Sequence, residues 1–153
     1  VPITAFMHGG EQEFGFRAGT HAVHNIVGFG KAAEIALRDL KKNEAHIKSL
    51  DDMLIAGIST IDGIHATVDI SKRLPGIVSL VVDKTDFHNE RFIKKISEEV
   101  ALSTGSACSA GEPSYVIQAL GLANEVTKVL RVSINKYTTE DDINSFLSLL
   151  KTI

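Results

Sequence analysis

Residues 129–142 read VLRVSINKYTTEDD, and this stretch decides the fold. Leu130, Val132 and Ile134 alternate with Val129, Arg131, Ser133 and Asn135, the period-two pattern of a strand with one buried face. Directly afterwards, Thr138 or Thr139 stands three residues before Asp141 or Asp142, the spacing of a capped helix start. A half-buried strand running into a capped helix belongs to a compact α+β unit, and the residues upstream extend the same reading. A helix from about Pro113, a residue suited to the first helical position, ends at Gly121 with Leu120 and Leu122 beside it, as a Schellman stop requires. Residues 100–103 read as a short strand. Residues 89–99 read as a helix with Phe92, Ile93 and Ile96 on one side. Pro75 and Gly76 turn the chain before a strand at Ile77–Val82. Ala66, Val68 and Ile70 alternate with His65, Thr67 and Asp69 in a further half-buried strand.

Upstream of this unit the pattern changes. Ile26, Gly30, Ala33, Leu37, Leu40, Ile47, Leu50, Leu54, Ile58 and Ile61 largely follow one face of a single helix, interrupted by Glu44. No proline falls between Val23 and Ile61. At 1.5 Å per residue such a helix is about 55 Å long, against about 30 Å for a compact domain of this size. It therefore either breaks near Asn43 or Gly57, or one end lies against another domain. Gly28, Gly30, Ala32, Ala33 and Ala36 suit close packing at its start. Residues 1–20, VPITAFMHGGEQEFGFRAGT, fit neither a helical nor a strand period. Three phenylalanines, Phe6, Phe14 and Phe16, stand there among four glycines. This arm either folds back on its own domain or packs on a surface outside the chain. The division expected is an arm over residues 1–22, a long linking helix over 23–62 and a small domain over 63–153.

The composition frames the function. The 153 residues are 44% hydrophobic and 23% charged with a formal net charge of -3, ordinary values for a globular protein. Weak acidity without clustered Lys and Arg argues against nucleic-acid binding. No apolar run approaches the ~20 residues of a membrane span. One cysteine excludes an internal disulfide and a cysteine-rich metal site, and a reducing, cytoplasmic setting is expected.

Three places can carry chemistry. The single thiol, Cys108, lies in STGSACSAG, residues 103–111. A lone cysteine is commonly a small buried hydrophobe. Glycine, serine and alanine cannot build a core around it, which favours an exposed, reactive thiol. Arg131 stands mid-strand beside Ser133 and Asn135, where it either binds a carboxylate bidentately or is a solvated surface residue. Arg17, Gly19 and Thr20 precede a helix, where a Thr hydroxyl and backbone N–H groups hold a phosphate or cap the helix. The six histidines show no metal-ligand spacing: His21 and His24 lack a third partner, and no metal is expected.

The arm GGEQEFGFRAGT, the loop ALSTGSACSAGEPSYVIQALGL and the segment LRVSINKYTTEDDI together resemble pyridoxal-phosphate-dependent cysteine desulfurases of the class V aminotransferase superfamily. They occur in that family's order, and the cysteine loop with its EPSYV continuation is the most specific of them. The resemblance covers essentially the whole chain, but only the C-terminal part of such an enzyme. It implies an α+β small domain of a fold-type I enzyme, an antiparallel sheet covered by helices, behind a long helix and an irregular arm. It implies that Cys108 takes sulfur from substrate cysteine as a persulfide and that Arg131 binds the substrate carboxylate. It implies that Thr20, with Arg17 in the same motif, reaches the cofactor phosphate of the second subunit of a homodimer. His21 and Ala22 stand where the family often has an acidic residue and Asn. The family's Schiff-base lysine, stacking histidine and pyridine-nitrogen aspartate lie upstream of these segments. The expectation is therefore a fragment, inactive alone, whose large domain is missing. Its other partner is a sulfur acceptor such as an iron–sulfur scaffold, in cluster assembly or tRNA thiolation. A selenocysteine lyase, a non-catalytic persulfide carrier and a redox-sensing thiol are the competing expectations.

Overall fold

The computed structural model describes residues 2–104 and 114–153. The chain forms two compact units, Val1–Lys41 and Lys42–Ile153, whose boundary falls inside helix α1, Val23–Ile58. The expected break near Asn43 does not occur. Gly57 does not break the helix either. It lies within the last turn, where a Cβ would collide with the Leu147 side chain. The glycine is there to let another helix approach, which spacing within one helix cannot reveal.

In the first unit a 3-10 turn, Gln12–Gly15, precedes α1. Glu13 and Phe14 both adopt left-handed backbone, φ 53° and 56°, a conformation L-residues visit at a cost. Met7 and Arg17 form a bridge, and Ala18 N–H donates to Met7 O at 3.2 Å. The phenylalanines of the arm are not buried: Phe6 is 94% exposed and Phe14 98%. Phe29, Leu37 and Leu40 of α1 are exposed as well.

The second unit is α+β, as the sequence implies. Strands β1 (Ile64–Ala66), β2 (Ile77–Val82) and β3 (Val129–Ser133) form an antiparallel sheet in that order. Helices α2 (Asn89–Ile96), α3 (Tyr115–Ala119) and α4 (Glu140–Leu150) complete it. Val78, Leu80, Val82, Leu130 and Val132 line one face and are buried with Leu50, Leu54 and Ile58 of α1, Phe92 and Ile96 of α2, and four apolar residues of α4. Several of the strands and helices differ from expectation, and α2 stops at Ile96, short of the expected Glu99. The strand through Ile70 stops at Ala66, because the Asp69 carboxylate accepts from Ser71 N–H at 2.9 Å and caps a 3-10 turn, Ile70–Lys72. Residues 100–103 give one bridge, Ser103 to Arg131, rather than a strand. Helix α3 begins at Tyr115, after Ser114, and ends in the expected Schellman pattern: Leu122 N–H donates to Ile117 O, Gly121 N–H to Gln118 O, and Gly121 has φ 77°. Thr139 and Asp142 form the reciprocal capping box of α4. Among the described residues no helix is long and apolar enough to cross a membrane.

A buried ion pair ties the unit together. Asp51 of α1 accepts from Arg73 at 2.6 and 2.8 Å and from Gly76 N–H at 2.8 Å. Gly76 O in turn accepts from Ile134 N–H at 2.7 Å. The Arg73 side chain is 9% exposed and that of Asp51 5%. Burial pushes the Asp51 carboxyl up, but the hydrogen bonds from Arg73 and Gly76 and the charges of Arg73 and Lys48 outweigh it, holding it below the usual carboxylate range. A carboxyl depressed in the folded state contributes stability that is present above its unfolded value and lost as pH falls through its folded one. Stability therefore declines on acidification below about pH 4, and Asp51→Asn flattens that decline in acid denaturation curves. Arg73→Ala leaves a buried carboxylate unpaired and lowers unfolding free energy by about 3 kcal/mol in chemical denaturation.

Candidate functional site

The sheet's second face is built differently from its first. Val81 and Val129 are covered there by Ile117 of α3, with Leu122 and Val126 packed around them. Two residues further along β3, the same face lies open at Arg131, which is exposed. Strand alternation does this directly: Leu130 and Val132 enter the core, so Arg131 cannot.

Arg131 has a neighbour on each side. Across β2 it is in register with Ser79. On its other side Arg131 N–H donates to Ser103 O at 2.7 Å, and Ser103 N–H donates to Arg131 O at 3.4 Å. The Arg131 Nη2 also donates to Ser103 Oγ at 3.3 Å. Two serines thus flank Arg131 across the sheet, one on β2 and one on the segment entering the cysteine loop.

The start of β3 is fixed from inside the core. Asn89 Nδ2 donates to Val126 O and Val129 O, both at 2.9 Å, while its Oδ1 accepts from Glu90 N–H. Asn89 is 3% exposed, so its amide supplies hydrogen bonds that water cannot. The 3-10 turn Ala123–Lys128 is thereby joined to β3 at a set position, two residues before Arg131. Neither Ser103 nor Asn89 stands out in the sequence. An asparagine opening a helix looks like a solvent-facing cap, and Ser103 meets Arg131 across 28 positions of chain.

Cys108 lies outside the described residues. Thr20 and Arg17 belong to the first unit. Arg17 Nη1 donates to Gly19 O at 2.9 Å and to Thr20 O at 3.4 Å, and Gly19 N–H donates to Gln12 Oε1 at 3.1 Å. Gly19 has φ 101°, a backbone that favours glycine. Helix α1 starts three residues past Thr20, so Thr20 stands outside its cap position, and the hydroxyl is exposed. A hydroxyl and a guanidinium on one exposed segment are the donor types that phosphate oxygens accept, and the segment fits a phosphate group in that chemistry. His21 Nε2 lies 2.8 Å from Glu13 Oε1. Among the described residues no three His, Cys, Asp or Glu side chains gather as metal ligands would.

The fold agrees with what the chain is similar to. The chain belongs to the class-V aminotransferase family, whose model matches residues 6–146. Within it, a cysteine desulfurase IscS from Ruthia magnifica subsp. Calyptogena magnifica is 37% identical over 155 residues, covering 99% of this chain and 38% of that protein. The crystal structure of a NifS-like protein from Rickettsia africae has the same fold, with a TM-score of 0.83 over 99% of this chain and 40% of that one at 23% identity. A C-DES mutant with glycine covalently linked to its PLP cofactor matches with a TM-score of 0.59 over 89% of this chain and 31% of that one, at 19% identity. The chain therefore spans 38% of the length of the curated relative.

Replacing Asn89 tests the support of this site. Asn89→Ala leaves two buried carbonyls without donors and lowers stability by about 2 kcal/mol, read as a fall in thermal midpoint. Hydrogen exchange quickens at the β3 amides before it does in α4.

Proposed function

We propose that this chain is the substrate-binding and sulfur-receiving portion of a cysteine desulfurase, which removes sulfur from L-cysteine to leave L-alanine and a persulfide on Cys108. The observation that carries the reading is Arg131: a guanidinium on the open face of β3, hydrogen-bonded to the residue five positions before the only cysteine. The family membership and the cysteine desulfurase relatives support the same reading.

Pyridoxal phosphate is the cofactor of this family assignment, and when bound it supplies the electron sink that makes the substrate sulfur electrophilic. The chain's own residues do the rest. Arg131 takes the substrate carboxylate in a bidentate pair, which fixes the amino acid's orientation. The Cys108 thiolate attacks the oriented sulfur, the carbon–sulfur bond breaks, and the sulfur stays on Cys108. Thr20, with Arg17, holds the cofactor phosphate of the second subunit in a homodimer. The lysine that anchors the cofactor belongs to polypeptide beyond these residues, in a large domain. The persulfide then passes to an acceptor protein in the cytoplasm, for iron–sulfur cluster assembly or tRNA thiolation.

The test measures alanine release from cysteine with pyridoxal phosphate. The chain alone gives none; joined to the large domain of a family desulfurase it turns over, and Cys108→Ala in the joined protein abolishes persulfide formation. Turnover by the isolated chain, or full activity without the thiol, overturns the reading. Faster turnover of selenocysteine than of cysteine moves the assignment to a selenocysteine lyase. Persulfide appearing on Cys108 only when another desulfurase is supplied, with no turnover in the joined protein, makes the chain a carrier.

A further inference from the structure

Read across the sheet, Arg131 is the centre of a three-residue rung, Ser79–Arg131–Ser103. Ser103 and Arg131 exchange both backbone hydrogen bonds, so they form a hydrogen-bonded antiparallel pair and their side chains rise from the same face. The Arg131 N–H and C=O are turned toward Ser103. Its pairing with Ser79 is therefore of the other kind, without backbone bonds between the two, in which side chains stand closer. Both neighbours are short, uncharged and hydroxyl-bearing. Neither covers the guanidinium and neither neutralises it.

This arrangement bears on how an arginine recognises a carboxylate. The side chain is long and rotamer-rich, and an unrestrained one loses that freedom when a ligand arrives. A guanidinium presents five N–H donors in a planar fork. Ser103 Oγ engages Nη2 alone, at 3.3 Å. Among the described residues the remaining donors have no partner, and the positive charge is undiminished because the acceptor is neutral. A carboxylate at position 103 would orient the fork too, but it would occupy the fork and cancel its charge. The same backbone pair that places Ser103 beside Arg131 also starts the segment leading to Cys108. The residue orienting the carboxylate anchor thus sits at the entry of the segment bearing the thiol.

We propose that Ser103 is a positioning residue that holds the Arg131 guanidinium with one edge turned to an α-amino-acid carboxylate, so that the hydroxyl at position 103 sets affinity for the carboxylate half of the substrate. This rests on the role assigned to Arg131 above. It adds a determinant that acts through the arginine and touches no reacting atom.

The experiment compares Ser103→Thr with Ser103→Val in the chain joined to the large domain of a family desulfurase. The two have nearly the same branched shape and differ in the hydroxyl, so a packing change affects both alike. Loss of the hydroxyl in Ser103→Val raises the KM for L-cysteine by about five-fold, the scale of one ordinary net hydrogen bond, with a smaller change in kcat. Ser103→Thr stays close to the wild-type KM. Calorimetric binding of 3-mercaptopropionate, a carboxylate without an amino group, weakens in parallel. Ser103→Asp weakens both as far as Arg131→Ala does, since it cancels the charge that Arg131→Ala deletes. In an Arg131→Ala background, Ser103→Val has no further effect on either quantity. Equal shifts from Ser103→Val with and without Arg131, or no difference between Thr and Val at position 103, overturn the proposal. An Arg131→Ala enzyme with unchanged KM and unchanged 3-mercaptopropionate binding overturns instead the carboxylate-binding role of Arg131, and with it the function proposed above.

Discussion

The second unit depends on one buried carboxylate. Asp51 comes from the middle of a long helix, yet three segments converge on it: the helix itself, Arg73 in the β1–β2 connection, and the backbone of the turn at Gly76. A charge in that position is tolerable only when paired and hydrogen-bonded on every side, and here it is. Gly76 then hands the constraint on through its carbonyl to Ile134, just past the end of β3. Arg73 also reaches Leu74 O and Ile77 O, at the entry of β2. The register of β2 against β3 is thus pinned at the end away from α3. That register sends Val78, Leu80 and Val82 into the core and leaves Ser79 facing Arg131 across the strands.

The two faces of the sheet divide the labour. One is covered by three helices and supplies the core. Among the described residues the other is covered where Ile117, Val81 and Val129 meet, and Arg131 on it is exposed. A three-stranded sheet with both faces buried would have no place to expose an arginine. With both faces bare it would lack the hydrophobic area to fold. Placing a short helix, α3, over half of the second face resolves both demands, and it lets the segments flanking residues 105–113 rejoin the sheet beside the same strand.

Much of this was legible in the sequence because local rules governed it. The alternation of residues 129–135 identified which side chains leave the core, Arg131 among them. Thr139 with Asp142 and Gly121 with Leu122 are terminators whose geometry is confined to a few neighbouring residues. What escaped was set at a distance. The strand through Val68 and Ile70 followed the right pattern and was ended by Asp69, whose carboxylate offered Ser71 a better local partner than a sheet did. Asn89 marked no more than the start of a helix, and its amide is held under the carbonyls of Val126 and Val129. Ser103 acquired meaning only when the fold set it against Arg131. Cys108, Thr20 and Arg17 stood out as candidates from their neighbours, each with an ordinary alternative, and the roles expected of them came from resemblance.

Gly57 carries a consequence for protein engineering. Replacing a helix-interior glycine with alanine is a common route to thermostability, since it removes flexibility from the unfolded chain and improves helix propensity. In this protein the missing methyl is the space that the Leu147 side chain of α4 occupies. Propensity alone ranks Gly57 with Gly28 and Gly30 of the same helix, yet a methyl at Gly57 would press on Leu147 while one at Gly28 or Gly30 would meet no such neighbour. Gains in heat tolerance must be sought on the solvent side of the same helix.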